Sequence, residues 1–193
     1  LTAENFAFAR QCGATHLVIH LVDYFKRGHN NPSDNQPTGD SHGWGMAGDP
    51  NQLWTLEELL EIKGKVNDAG LVLEAIENFD PAYWYDVLLD GPKKNEQIEN
   101  LRTIITRIGQ AGIPIMGYNF SIAGVCGRIT GPFARGGAMS VGMEGGDATH
   151  IPNGMVWNMV YDTKAPTGTL PEITSEQLWN RLAYFLNAIL PTA

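Results

Sequence analysis

A recurring order of helix, glycine and strand most strongly constrains the fold of this chain. Three times a helical stretch ends at a glycine (Gly13, Gly70 or Gly112), and a short apolar stretch follows. Strands that alternate with helices in this way run parallel and are covered by the helices. The predicted strands are 15–22, 71–77 and 113–120. The pattern therefore predicts an α/β fold with these three strands as neighbours in one curved, parallel sheet.

Two capping boxes mark the starts of predicted helices. Thr55 pairs with Glu58 in one, and Thr174 pairs with Gln177 in the other. An apolar stripe with helical spacing follows each box, and a further amphipathic helix is predicted over 95–110. These helices supply the covering layer that a parallel sheet requires.

Three stretches carry no such periodicity. Residues 26–52 and 121–170 are rich in Gly, Pro, Asn or Ser, and we predict long loop insertions there. The segment with Trp84 and Tyr85 is predicted to be a shorter loop.

Composition excludes several classes of protein. The net charge of −8 and the scattered basic residues argue against nucleic-acid binding. No apolar run approaches the roughly 20 residues of a membrane span, and no signal peptide is evident. Cys12 and Cys126 lie far apart and are predicted to be ordinary thiols in a reducing compartment. The sequence predicts a cytoplasmic enzyme that contacts neither nucleic acid nor membrane.

Four segments resemble the mannonate dehydratase family, in order and with matching spacing. The most specific is the strand end Tyr118-Asn119-Phe120. The segments are Trp54–Leu59, Ala69–Glu77, Gln97–Asn100 and Ala111–Phe120. The chain departs from the family pattern after Glu77, where Asn78-Phe79-Asp80-Pro81 replaces a His-containing stretch.

This resemblance implies a TIM barrel that removes water from D-mannonate to give 2-keto-3-deoxygluconate. It also implies Mn²⁺ or another divalent metal, held by His, Cys, His and Asp on later barrel strands. The first of those ligands would follow Ala193, so no metal ligand is assigned in this chain. The expected fold is a partial (β/α)₈ barrel of about three βα units plus an inserted loop region, with residues 1–193 forming part of a single barrel domain. A small sugar acid and a second copy of the protein are the expected partners.

Barrel enzymes build their active sites at the carboxyl ends of the strands. His20, Tyr118 and Asn119 are the catalytic candidates at these ends, because they can move a proton or stabilise developing charge. Glu77 and Asn78 are predicted to contact the substrate. Side chains alternate along a strand, so only one of the neighbours Tyr118 and Asn119 is expected to point straight into the site.

Four further residues are predicted to bind substrate from the second irregular region. Arg128 and Arg135 lie in a Gly-rich stretch and suit a sugar-acid carboxylate, which a guanidinium binds with two parallel hydrogen bonds. Trp157 and Asn158 are predicted to line the pocket.

Two alternatives fit the same sequence. One is a metal-dependent sugar isomerase or epimerase of the same barrel class. The other is a non-catalytic or split-barrel half that needs a partner, which the missing metal ligands favour.

Overall fold

The computed structural model describes residues 1–22, 45–124, 128–144 and 150–193. The helices are α1 (Ala3–Gln11), α2 (Leu56–Asp68), α3 (Tyr85–Leu89), α4 (Lys94–Gln110) and α5 (Ser175–Ile189). The strands are β1 (His16–His20), β2 (Gly45–Met46), β3 (Val72–Glu77), β4 (Ile115–Met116), β5 (Arg128–Gly131), β6 (Ser140–Met143), β7 (Met155–Val156) and β8 (Met159–Val160).

The chain folds as two compact units. The first comprises Leu1–Val22, Asp49–Asn119 and Trp179–Ala193, and the second comprises Asp23–Gly48 and Phe120–Leu178. The first unit therefore holds β1, β3, β4, α1 to α4 and most of α5.

A parallel sheet in the order β1–β3–β4 forms the centre of the first unit. Strand β1 pairs with β3 along its whole length, and its last residue, His20, lies opposite Glu77. Strand β4 pairs with the end of β3, where Met116 lies opposite Ile76. The predicted arrangement of three parallel, neighbouring strands is confirmed.

Strand β4 is much shorter than the predicted strand 113–120. Pro114 has no N–H and cannot donate a ladder hydrogen bond. The ladder ends where the Gly117 N–H donates to the Ile76 carbonyl at 2.8 Å. Strand β3 itself stops one residue later, because Asn78 has a left-handed backbone with φ of 65°. Residues beyond Gly117 therefore have no strand to pair with.

Side chains on this sheet alternate between a buried and an exposed face. Ile19 and Ile76, which are Cα partners, are 3% and 0% exposed, and α2 packs on β3 and against α4. On the opposite face, Val18 and Ile115, which both pair with Ala75, are 56% and 49% exposed. Helices of the first unit thus cover one face, while the other keeps an apolar surface open.

Both predicted capping boxes are confirmed. The Thr55 N–H donates to Glu58 Oε2 at 2.8 Å, and the Glu58 N–H donates to Thr55 Oγ1 at 3.2 Å. The Thr174 N–H donates to Gln177 Oε1 at 2.9 Å, and the Gln177 N–H donates to Thr174 Oγ1 at 3.2 Å. The first N–H groups of α2 and α5 are therefore satisfied by side chains.

The loop predicted around Trp84 is wrong, because the segment forms a 3₁₀ turn followed by α3. Asp80 caps the turn by accepting from the Ala82 N–H at 2.9 Å. Gln97 of α4 reaches back, and its Oε1 accepts from two N–H groups near the start of α3 at 2.8 and 3.2 Å. A residue distant in sequence thus accepts from the N–H groups near the start of α3, and local sequence patterns do not reveal such a partner.

The second unit contains two small sheets. Strands β5 and β6 form an antiparallel pair, while β7 and β8 form a tight hairpin that β2 joins in parallel. The predicted loop insertion at 121–170 therefore contains four short strands. Much of the other predicted insertion, residues 26–44, lies outside the described residues, and the division of the chain into a barrel domain with two insertions stays a prediction.

Candidate functional site

The carboxyl ends of the three parallel strands form one row in the first unit. His20 at the end of β1 lies opposite Glu77 at the end of β3. Next to Glu77 is Gly117, where an added Cβ would lie 3.6 Å from the Glu77 Cα. The sequence places Tyr118 and Asn119 directly after this glycine. Four of the predicted site residues thus lie at the same end of one sheet.

His20 and Glu77 make a direct side-chain pair. Nε2 of His20 lies 3.3 Å from Oε2 of Glu77, and the two side chains are 44% and 49% exposed. Both backbones are fixed by pairing in the sheet, so the pair stands on rigid elements. A half-exposed imidazole beside a carboxylate can accept, hold and release a proton at a position that solvent or a ligand can reach.

A second pair with the same chemistry lies at the other end of the same two strands. Nε2 of His16 is 4.0 Å from Oε2 of Glu74. The His16 Nδ1 also lies 2.9 Å from the Thr15 hydroxyl. This pair sits near the amino ends of the strands, where conserved polar groups in barrels serve stability.

Tyr118 and Asn119 differ in their surroundings. The Tyr118 ring lies 5.4 Å from the ring of Phe185 on α5, at a tilted angle of 58°. Phe185 is 1% exposed and belongs to the core of the first unit. Tyr118 therefore packs on a helix, and the orientation of Asn119 toward His20 and Glu77 stays a prediction.

Asn78 is almost fully buried, with 4% of its surface exposed, and it adopts φ of 65°. Asn tolerates the left-handed region better than most residues, because its short side chain can bond locally. This conformation turns the chain away from β3 and ends the strand. A direct contact of Asn78 with substrate stays a prediction.

The other four predicted substrate contacts lie in the second unit. Arg135 is exposed in a short 3₁₀ turn, whereas Arg128 belongs to β5 and its side chain lies outside the described residues. Trp157 and Asn158 are the two central residues of the β7–β8 hairpin. The residues predicted to line one pocket therefore lie in two separate units.

The hairpin turn at Trp157 and Asn158 is strained. Both residues have positive φ, 49° and 63°, as a type I′ turn demands. Such turns favour Asn-Gly, and a bulky residue in this region costs about 1–2 kcal/mol. Gly124 packs so closely on the turn that an added Cβ would lie 3.0 Å from the Trp157 carbonyl carbon.

Asn158 adds an unsatisfied amide to this strain. Its side chain is 0% exposed, and among the residues that the structure describes neither its Nδ2 nor its Oδ1 has a hydrogen-bond partner. A buried polar group left unpaired costs about 1–3 kcal/mol. The sequence does not predict this unpaired amide, because its exclusion from solvent results from the packing of separate strands.

We expect Asn158→Gly to raise the free energy of unfolding by about 1 kcal/mol, since it removes the unpaired amide and suits the type I′ turn. Chemical denaturation of the purified chain measures the change. Asn78→Gly is the matched control, because Asn78 is the same residue type with a similar φ, but it is not among the side chains with unpaired buried atoms. We expect that control to lose stability. Equal losses in both variants would show that the Asn158 amide is satisfied after all.

A buried tyrosine lies beside the start of α2, away from the strand ends. Burial raises the pKa of Tyr83, and the nearby carboxylates of Asp80, Glu58 and Asp49 raise it further. The hydroxyl donates to the Gln52 carbonyl at 2.7 Å. Tyr83 is thus a fixed neutral donor that ties the segment before α2 to the 3₁₀ turn.

The described residues do not fit a divalent-metal site. Across these residues no group of three or more His, Cys, Asp or Glu side chains could hold an ion. His20 and Glu77 supply two donors, whereas catalytic metal sites take about three protein ligands. Of the two cysteines, Cys12 is free and exposed, and Cys126 lies outside the described residues.

No described helix is long and apolar enough to cross a membrane.

A parallel sheet with helices on one face carries a His–Glu pair at its carboxyl ends, the edge at which α/β enzymes build their active sites. The family model for D-mannonate dehydratase (UxuA) matches residues 10–129. The chain belongs to this family of hydro-lyases.

Curated relatives agree with that assignment. Mannonate dehydratase from Streptococcus equi subsp. zooepidemicus is 31% identical over 156 residues, which is 74% of this chain and 42% of the relative. The enzyme from Streptococcus pneumoniae is 31% identical over the same length, covering 41% of that relative. The chain thus spans less than half of the length of these relatives.

A solved structure supports the fold. The crystal structure of mannonate dehydratase from Streptococcus suis serotype 2 superposes with a TM-score of 0.51 and 23% identity. The match covers 93% of this chain and 50% of that structure.

Proposed function

We propose that this chain forms the substrate-facing part of a mannonate dehydratase, which removes water from D-mannonate to give 2-keto-3-deoxygluconate. The His20–Glu77 pair at the carboxyl ends of β1 and β3 carries the proposal, because sugar-acid dehydration needs a group that moves protons at an accessible position. Family membership supplies the substrate class.

The reaction defines what the residues have to do. The proton on C2 of the sugar acid leaves to a base, and the C3 hydroxyl leaves as water after receiving a proton. The resulting enol then loses the proton of its C2 hydroxyl, takes a proton at C3 and becomes the 2-keto-3-deoxy product. At least two proton transfers occur, so groups that both accept and donate are required near C2 and C3.

The proposed catalytic set is His20, Asn119 and Tyr118. His20 moves protons, and the Asn119 amide donates to an oxygen of the developing enol. Tyr118 packs on Phe185 and supports its neighbour. Glu77 and Asn78 are proposed to form the substrate-binding edge beside this set.

Residues of the second unit are proposed as further substrate contacts. Arg128 and Arg135 would bind the carboxylate of the sugar acid. Trp157 and Asn158 would contact its hydroxyl groups. The strain and the unpaired amide at this turn support the assignment, because such features persist where function needs them.

The architecture proposed for the complete enzyme is a (β/α)₈ barrel, of which this chain supplies about three βα units. The open apolar face with Val18 and Ile115 supports this proposal, since the inward side chains of a barrel are apolar and packed. We further propose a cytoplasmic homo-oligomer that acts on a small sugar acid.

Members of the family are metal-dependent, and we propose Mn²⁺ or another divalent metal held by residues outside this chain. The 193-residue chain alone is expected to bind Mn²⁺ no tighter than millimolar and to form no product from D-mannonate. Isothermal titration with Mn²⁺ and a product assay measure both. One stoichiometric Mn²⁺ bound with micromolar affinity would contradict the prediction.

The complete enzyme, incubated with D-mannonate, tests the function itself. The proposal requires a 2-keto-3-deoxy acid that is lighter than the substrate by one water. A sugar isomerase or epimerase would instead give a product of unchanged mass.

A further inference from the structure

We propose that Glu77 is a positioning residue that acts through His20, by accepting the Nε2 proton and fixing which imidazole nitrogen carries it. This inference rests on the proposed function and changes the role of Glu77 within it. The carboxylate would serve the histidine instead of contacting the sugar acid.

The backbone geometry supports this role. His20 and Glu77 are Cα partners in neighbouring parallel strands, so their side chains leave the sheet on the same face. The residues before them, Ile19 and Ile76, are 3% and 0% exposed and anchor both strands from the opposite face. A pair held in this way keeps its geometry without help from a loop.

The chemistry of the two side chains determines which one donates the hydrogen bond. A carboxylate can only accept, so the His20 Nε2 that lies 3.3 Å from Glu77 Oε2 is the donor in this pair. In the neutral ring the proton then sits on Nε2, and Nδ1 carries the lone pair. In many sites the ring nitrogen that donates to a carboxylate keeps its proton, and this hydrogen bond fixes the tautomer. Nδ1 of His20 is therefore the atom that would accept a proton from substrate.

The second pair, His16 with Glu74, provides a matched control. It has the same residue types on the same two strands, at 4.0 Å and at their amino ends. His16 lies four positions before His20, which corresponds to about 13 Å along the strand. A general effect of removing a carboxylate from this sheet would appear equally in both pairs.

A double-mutant cycle in the complete enzyme tests the inference. We expect His20→Ala to lower kcat about 100-fold and Glu77→Ala about 10-fold, with little change in KM. If Glu77 acts through His20, the double variant should be no slower than His20→Ala alone. Glu77→Gln retains an acceptor and should recover kcat to within about threefold of wild type. Glu74→Ala should leave kcat unchanged.

Additive effects of His20→Ala and Glu77→Ala on kcat, or a rise in KM as the main effect of Glu77→Ala, would overturn the inference and leave the dehydratase proposal standing. A spectroscopic readout on the 193-residue chain needs no turnover. With ¹⁵N-labelled histidine near pH 8, Glu77→Ala should increase the share of the Nδ1–H tautomer at His20, whereas Glu74→Ala should not. An unchanged tautomer in Glu77→Ala would also overturn the inference.

Discussion

Asn119→Ala is expected to lower kcat for D-mannonate about 100-fold in the complete enzyme, while Tyr118→Phe keeps kcat within about threefold of wild type. The reason is the asymmetry between these neighbours. The Tyr118 ring packs on Phe185, and we expect its neighbour Asn119 to face the side of His20 and Glu77. Loss of one donor to a developing oxyanion costs about 10²–10³ in kcat. Steady-state kinetics of the two variants measures the difference.

Tyr118→Ala separates packing from chemistry at this strand end. It removes the ring contact with Phe185, so its main effect should be on stability or KM. If Tyr118→Phe is the slow variant and Asn119→Ala is not, the two roles are reversed. If both keep wild-type kcat, the strand end is structural and the assignment of the site fails.

Ile76→Ala should destabilise the first unit by about 2–5 kcal/mol, the usual range for truncating a fully buried Ile. Ile76 is 0% exposed on the central strand, and its carbonyl also accepts the hydrogen bond that ends the ladder with β4. The substitution removes apolar contacts that hold the sheet against its helices. Equilibrium unfolding in urea, followed by circular dichroism, gives the change in free energy.

Val72→Ala is the control for this core prediction. It lies on the same strand and the same face, four residues before Ile76, but it is 45% exposed, so its truncation should change the free energy of unfolding by no more than about 0.5 kcal/mol. Similar losses in the two variants would contradict the assignment of Ile76 to the core of the first unit.

The sequence was sufficient to predict the elements whose cause is local. The capping boxes at Thr55 and Thr174 start α2 and α5 because each side chain bonds within its own first turn. Glycine at the helix ends and the apolar strands that follow were enough to predict the three parallel neighbours. The strand-end positions of His20 and Glu77 followed from the same pattern.

Features that depend on distant residues were not predicted. Helix α3 depends on Gln97, which lies about ten residues further along the chain and on another helix. The pairing of His20 with Glu77 depends on strand register, which an irregularity between Leu17 and Val18 shifts by one residue. A one-residue shift moves a side chain to the other face, so strand order alone does not determine which polar groups meet.

The mass of the product formed in ²H₂O tests the central claim of a dehydratase most directly. The proposed reaction removes the C3 hydroxyl as water, and the enol then takes a proton from solvent at C3. D-mannonate incubated in ²H₂O with the complete, metal-loaded enzyme should therefore give 2-keto-3-deoxygluconate with one deuterium at C3. A sugar acid that keeps all its oxygens, with deuterium only at an exchanged C–H position, would contradict the account and identify an isomerase or epimerase.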